Sequence, residues 1–152
     1  MNADAKICLL IAEDDDAAAH LIKANLSRAG LPDSLFLRAK DGEEALDILE
    51  GRSPQRIPQE AKIIVLLDIR MPKVDGVQVL KKMKSSSELR KIPVIMLTTS
   101  DRPKEVELCY QAGCNLYLKK QVDYAKFTDS ISKLAAFISA CELPLFGEIT
   151  YD

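Results

Sequence analysis

Short apolar runs alternating with one-sided helical patterns restrict this chain to a narrow set of folds. The runs occupy residues 7–12, 35–39, 63–67, 94–97 and 116–118. Each is too short for a typical helix and rich in aliphatic residues, so strands are expected. Between them, apolar residues recur at helical spacing. The first such segment carries Leu21, Ile22, Leu26 and Ala29, with Asp16 placed to cap its front and Gly30 and Pro32 to end it. The second runs from Asp41 through Ala45, Leu46 and Leu49 to Gly51, and the third from Gly76 through Val79, Leu80 and Met83. A fourth, 103–112, lies between Pro103 and Gly113; the fifth, 123–141, puts Phe127, Ile131, Leu134 and Ile138 on one face.

Strand–helix alternation implies a parallel sheet with helices on both sides, because each parallel return needs a right-handed crossover. The expected class is α/β, doubly wound, with five strands. Ile63-Ile64-Val65-Leu66-Leu67 is apolar throughout, as a central strand buried on both faces should be, whereas Leu35-Phe36-Leu37-Arg38 is mixed and suits an edge. The order 2-1-3-4-5 follows. The connection 52–61, with Pro54 and Pro58, is longer than most loops and is expected to be a flexible insert rather than an ordered contact surface.

The 152 residues suit one domain, 1–152, with a core of about 5–141 and a tail, 142–152, too short for an output domain. At 47% hydrophobic and 29% charged, the composition is that of a globular protein, and a net charge of −2 argues against nucleic acid as partner. No apolar run approaches the ~18 residues of a membrane span, so no membrane partner and a cytoplasmic location are expected. Cys8, Cys109, Cys114 and Cys141 show no zinc-type pairing and read as reduced packing residues. His20, inside the first helical pattern, reads as a surface or boundary residue.

In an open α/β sheet, ligands gather at the carboxyl ends of the strands. Those ends carry Glu13-Asp14-Asp15-Asp16, Asp68, Thr98-Thr99-Ser100-Asp101 and Lys119-Lys120. Each has an ordinary reading alone: acids cap helices, Thr often follows a strand, and a loop Lys is usually solvated. Together they are less ordinary. Carboxylates brought close repel one another and are tolerated chiefly beside a hard divalent cation, for which Mg²⁺ is the candidate.

Four stretches carry a family resemblance. They are Ile11-Ala12-Glu13-Asp14-Asp15, the run from Leu67-Asp68-Ile69-Arg70-Met71-Pro72 to Asp75-Gly76, Pro93-Val94-Ile95-Met96-Leu97-Thr98-Thr99, and the run from Ala112-Gly113 through Tyr117 to Lys119-Lys120. From about Ala5 to Cys141 the chain resembles the receiver domains of two-component response regulators, which have the flavodoxin-like (βα)5 fold. The resemblance implies that Asp68 is the phosphoacceptor, that Glu13 and Asp14 hold Mg²⁺ directly or through water, and that the Arg70 backbone carbonyl adds a ligand. It implies Lys120 as the ammonium and Thr98 as the hydroxyl facing the phosphoryl group, and Tyr117 as the aromatic that moves inward when Thr98 shifts toward Asp68. Such a protein is a switch rather than an enzyme. Its donor is a sensor histidine kinase, and its output is binding or homodimerisation through helix four, strand five and helix five. The 52–61 insert, the 117–124 passage and the long last helix are similar to stand-alone receivers paired with phytochrome-type kinases.

Locally, Pro72 is expected to set a turn beyond Asp68, and Gly76 to adopt a backbone angle that most residues avoid. The family usually has Pro after the lysine; here Gln121 stands there, and although Lys119 is a neighbouring candidate the pattern favours Lys120, since Tyr117 then falls three residues earlier as in the family. Leu143, Leu145, Phe146 and Ile149 in the tail either pack back on the body or extend a dimer contact. Two rival readings remain. An aspartyl-phosphate hydrolase commonly wants a second acid two positions beyond its nucleophile, where this chain has Arg70. A phosphorylation-independent binding module has only Gln121 in its favour.

Overall fold

The computed structural model describes residues 5–147, and these alternate as the apolar periodicity requires. In chain order the elements are β1 (Ile7–Ala12), α1 (Asp16–Ala29), β2 (Leu35–Ala39), α2 (Gly42–Leu49), β3 (Lys62–Leu67), α3 (Gly76–Ser85), β4 (Val94–Thr98), α4 (Pro103–Ala112), β5 (Leu116–Lys119) and α5 (Tyr124–Ala140). The strands pair in parallel in the order β2-β1-β3-β4-β5, the doubly wound flavodoxin-like arrangement expected.

Because side chains alternate across a strand, the central strands divide the core in two. Leu10, Val65 and Met96 pack on one face with Leu49 from α2 and Leu80 and Met83 from α3. Leu9, Leu66 and Leu97 pack on the other with Ile22 and Leu26 from α1 and Ile131 and Ile138 from α5. Each such side chain contributes about 1.5–3 kcal/mol on burial. β2, at the edge, buries only Ala39 completely.

Asp15, not Asp16, caps α1: its carboxylate accepts from the Ala18 N–H at 3.0 Å. Asp16 is already helical and turns its carboxylate to Arg38 instead. Asp41, Asp75 and Asp123 cap α2, α3 and α5 in the same way as Asp15. Gly113 ends α4 in the left-handed region, with φ 106°.

The 52–61 connection is not a flexible insert. Ser53, Ile57 and Ala61 are buried, Ile57 and Ala61 within the core, and the Gln55 side-chain amide bonds the backbone of Arg38 on β2. Periodicity could not reveal this, because the segment is anchored by single side chains rather than by a repeating face.

The described part of the tail, residues 142–147, packs back on the body. β4 pairs with β3 only from Val65 onward, so the first residues of β3 have an open edge. Residues 144–146 cover it: the Ile63 N–H donates to the Pro144 carbonyl at 3.1 Å and the Phe146 N–H to the Ala61 carbonyl at 2.8 Å. Leu145 forms an antiparallel bridge with Lys62, Phe146 packs on one half of the core and Leu143 on the other. Ile149 lies outside the described residues. All four cysteines are free, three of them buried, and His20 is exposed. Among the described residues no helix is long and apolar enough to cross a membrane.

Candidate functional site

Parallel register brings the candidate residues to one edge of the sheet. Ala12 of β1 stands opposite Leu67 of β3, so Glu13 and Asp68 are the next residues on each, and the Asp68 N–H continues the ladder to the Ala12 carbonyl at 3.1 Å. Thr98 of β4 stands opposite Lys119 of β5, and the Lys120 N–H donates to the Thr98 carbonyl at 2.6 Å. Four strand ends thus deliver two acids, a hydroxyl and an amine to one place.

The loop after β3 folds back tightly. The Gly76 N–H donates to the Ile69 carbonyl at 2.8 Å, and a Cβ on Gly76 would lie 2.0 Å from the Asp68 carbonyl oxygen. Gly76 is therefore required by close approach and not by an unusual backbone angle. The positive φ in this loop belongs to Lys73, at 67°. Asp75 then starts α3 through a capping box with Gln78.

One oxygen from each of the Glu13, Asp14 and Asp68 carboxylates lies within 4.8 Å of the others. Glu13 is 2% exposed and Asp68 8%, whereas Asp14 faces solvent. The Lys120 ammonium is bonded to Glu13 and stands 3.2 Å from Asp68 Oδ2. Lys119 turns away to Asp101 at 3.0 Å, which settles the register in favour of Lys120. The bond between Lys120 and Gln121 is trans, so the lysine reaches the carboxylates without the turn that proline would impose.

Burial pushes the Glu13 carboxyl above the usual range, against the pull of Lys120. Burial also opposes charge on Lys120, but the Glu13 hydrogen bond and the charge of Asp68 outweigh it and hold the ammonium above its ordinary value. Three carboxylates against one ammonium leave a net negative site. The donor set, three carboxylates with oxygens within 4.8 Å of one another, suits a hard divalent cation such as Mg²⁺.

Thr98 is fully buried, and its hydroxyl is the one buried side-chain polar atom among the described residues without a hydrogen-bond partner. Such a group costs about 1–3 kcal/mol unless water, an ion or a ligand completes it. Tyr117, half-buried on β5, donates its hydroxyl to the Ser100 carbonyl at 2.7 Å, just past Thr98. Arg70, two residues beyond Asp68, is exposed and pairs with Glu105 of α4 at 3.1 Å. Glu105 also accepts from the Ser100 hydroxyl, so the loops after β3 and β4 are tied to each other.

The model of the response regulator receiver domain matches residues 9–132. This chain belongs to that family. Receiver domains are phosphoacceptor switches of two-component signalling that bind Mg²⁺ in an acidic pocket and interact with histidine kinases. The receiver is 35% identical over 143 residues to a probable methanogenesis regulatory protein, FilR2, of Methanothrix harundinacea, covering 90% of this chain and 86% of that protein. It superposes on a response regulator receiver domain from Rhodospirillum rubrum with a TM-score of 0.82 and 34% identity, over 92% of this chain and 99% of that one. The phosphorylated cyanobacterial phytochrome response regulator RcpA gives 0.81 and 28% over the same shares.

The motifs did not point to Arg38 and Gln55, yet both reach the site's surroundings. Arg38 donates to the Glu13 carbonyl, and Gln55 holds Arg38. The only signal for Arg38 is a charge near the end of a strand that points toward the acidic edge.

Proposed function

We propose that this receiver accepts a phosphoryl group on Asp68 from a histidine kinase in a Mg²⁺-dependent reaction and signals by altered protein binding. The carrying observation is the acidic cluster of Glu13, Asp14 and Asp68 with the Lys120 ammonium bonded into it. An Asp68 carboxylate oxygen attacks phosphorus; the new P–O bond forms as the bond to the donor's imidazole nitrogen breaks, and the imidazole leaves. Little else is required beyond position and compensation of charge on the equatorial oxygens. Lys120 compensates one of those oxygens and the Thr98 hydroxyl donates to another, gaining the partner it lacks. Glu13 and Asp14, with Asp68 and the Arg70 carbonyl, would hold Mg²⁺, which supplies further charge compensation when bound.

Drawing Thr98 toward Asp68 disturbs the loop to which Tyr117 is hydrogen-bonded through Ser100. The two arrangements of this pair form the bistable element, and its readout is the face of α4, β5 and α5, where Leu108, Tyr110, Leu116 and Tyr124 are exposed. Homodimerisation or partner binding there is the proposed output, in the cytoplasm. Likeness to phytochrome response regulators supports a phytochrome-type kinase as donor. Nothing favours an aspartyl-phosphate hydrolase, since Arg70 occupies the position of the general acid and is paired with Glu105.

Intact mass after incubation with a small phosphodonor and Mg²⁺ tests this. A single adduct is expected, absent from Asp68→Asn and absent when the metal is chelated. An adduct that persists in Asp68→Asn, or none with donors and candidate kinases alike, overturns it.

A further inference from the structure

Arg38 stands next to last in β2, opposite Ile11. Its Nε and Nη2 both donate to the carbonyl oxygen of Glu13, at 3.1 and 2.9 Å, and Nη1 meets Asp16 Oδ1 at 2.5 Å. The Glu13 N–H donates to the Ala39 carbonyl at 3.0 Å. Both backbone groups of Glu13 are therefore held by successive residues of β2. Arg38 is itself held on its outer side. Gln55 Oε1 accepts from the Arg38 N–H at 3.3 Å, and Gln55 Nε2 donates to the Arg38 carbonyl at 2.8 Å and to Glu44 Oε1 at 2.9 Å.

We infer that Arg38, braced by Gln55 of the 52–61 segment, is a positioning residue that sets the Glu13–Asp14 peptide so that both carboxylates face one divalent cation. The inference rests on the cation-dependent switch proposed above. Asp14 is exposed and lies in the turn between β1 and α1, where its carboxylate has no partner among the described residues to orient it. Only the peptide that carries it can fix its direction. A guanidinium presents its N–H groups in a rigid fork, so two of them on one carbonyl oxygen restrain that peptide more than one ammonium could. Partners that orient a metal ligand commonly change metal affinity by about 10–100-fold when removed. The 52–61 segment contributes to the site in this way, because its amide takes the place of the strand that β2 lacks at the sheet edge and keeps Arg38 in register.

Charge and position predict opposite signs. A cation beside the site repels Mg²⁺, so if charge alone counted, Arg38→Ala would bind metal more tightly; if position counts, it binds more weakly. The experiment uses the full chain and titrates Mn²⁺, read from the electron paramagnetic resonance of the free ion, with Mg²⁺ by competition. Melting temperature and amide hydrogen exchange at Asp14 and Asp15 are measured in chelator. Half-saturation is expected to rise about tenfold in Arg38→Ala, less in Arg38→Lys and less again in Gln55→Ala, with faster exchange at both amides. Arg38→Lys keeps the charge and Gln55→Ala changes none, so they decide the matter if Arg38→Ala does not fold. Unchanged or tighter metal binding in the folded variants, whatever happens to the melting temperature, overturns the inference. Wild-type protein that binds metal but forms no phosphoryl adduct overturns the phosphorelay reading and leaves the positioning role measurable; wild-type protein that binds no divalent cation overturns both.

Discussion

Thr98 shows how much one atom can carry. Its hydroxyl is buried without a partner, an arrangement that burdens the resting state. Thr98→Val keeps the shape and removes the unpaired group. Urea denaturation of the unphosphorylated variant should show a gain of about 1 kcal/mol, while the phosphoryl adduct forms in lower yield because one oxygen loses its donor. A loss of stability would mean that the hydroxyl has a partner in solution. Residue identity was readable at most of the site, because Glu13, Asp68, Thr98 and Lys120 each fall at or just after the end of an apolar run. Between Lys119 and Lys120 the family pattern favoured Lys120, and the side chains agree: Lys119, the last residue of β5, turns to Asp101, and Lys120, just beyond it, bonds to Glu13. Arg38 was less legible. It works through a carbonyl 25 positions away, and no local pattern marks such a bond.

At the scale of elements, strands and helices were legible to within about two residues, because spacing and capping chemistry are local. The cap named from sequence for α1, Asp16, gives way to its neighbour Asp15, and Asp16 pairs with Arg38 instead. The connections were the least legible. Residues 52–61 and 142–147 have no period, yet both pack, the first by Ile57 and the Gln55 amide and the second by Phe146 and three backbone hydrogen bonds to residues 60–63. Removing everything after Cys141 exposes the Ile63 N–H and the Ala61 carbonyl and strips Phe146 from the core. Stability should fall by about 1–3 kcal/mol, measured by urea denaturation, with phosphorylation of Asp68 retained because the tail lies at the opposite end of β3 from the site. An unchanged midpoint would show that the tail does not dock in solution.

For the whole molecule, the acidic edge ties stability to pH and to metal. Burial sets the Glu13 carboxyl above its ordinary value, so the folded state binds that proton more tightly than the unfolded chain does. The associated stabilisation is fully present below the unfolded value of about 4.3 and is lost as pH rises through the raised folded value. Lys120, also raised, contributes in the opposite pH range: its stabilisation holds at neutral pH and is lost only in alkali, as pH climbs through the folded value. Above the raised folded value, metal-free protein has given up the Glu13 contribution, and a cation that binds the ionised carboxylate stabilises the fold by mass action. Calorimetry should find that Mg²⁺ raises the melting temperature where Glu13 is ionised and raises it progressively less as pH falls through the raised folded value, as protons compete for Glu13. An increment independent of pH would show that Glu13 is not a ligand.

Sequence alone determined the alternation of elements, the α/β class, the strand order and the residue types at each strand end. These follow from periodicity, from the right-handed crossover and from the continuous burial of β3, all of which are written in neighbouring residues or in their order. The tertiary structure decided why position 76 must be glycine, where residues 142–147 and the 52–61 segment lie, and that Arg38 grips Glu13. Those outcomes depend on contacts between side chains and backbone groups far apart in the chain, and only strand register and the closing of loops set those distances.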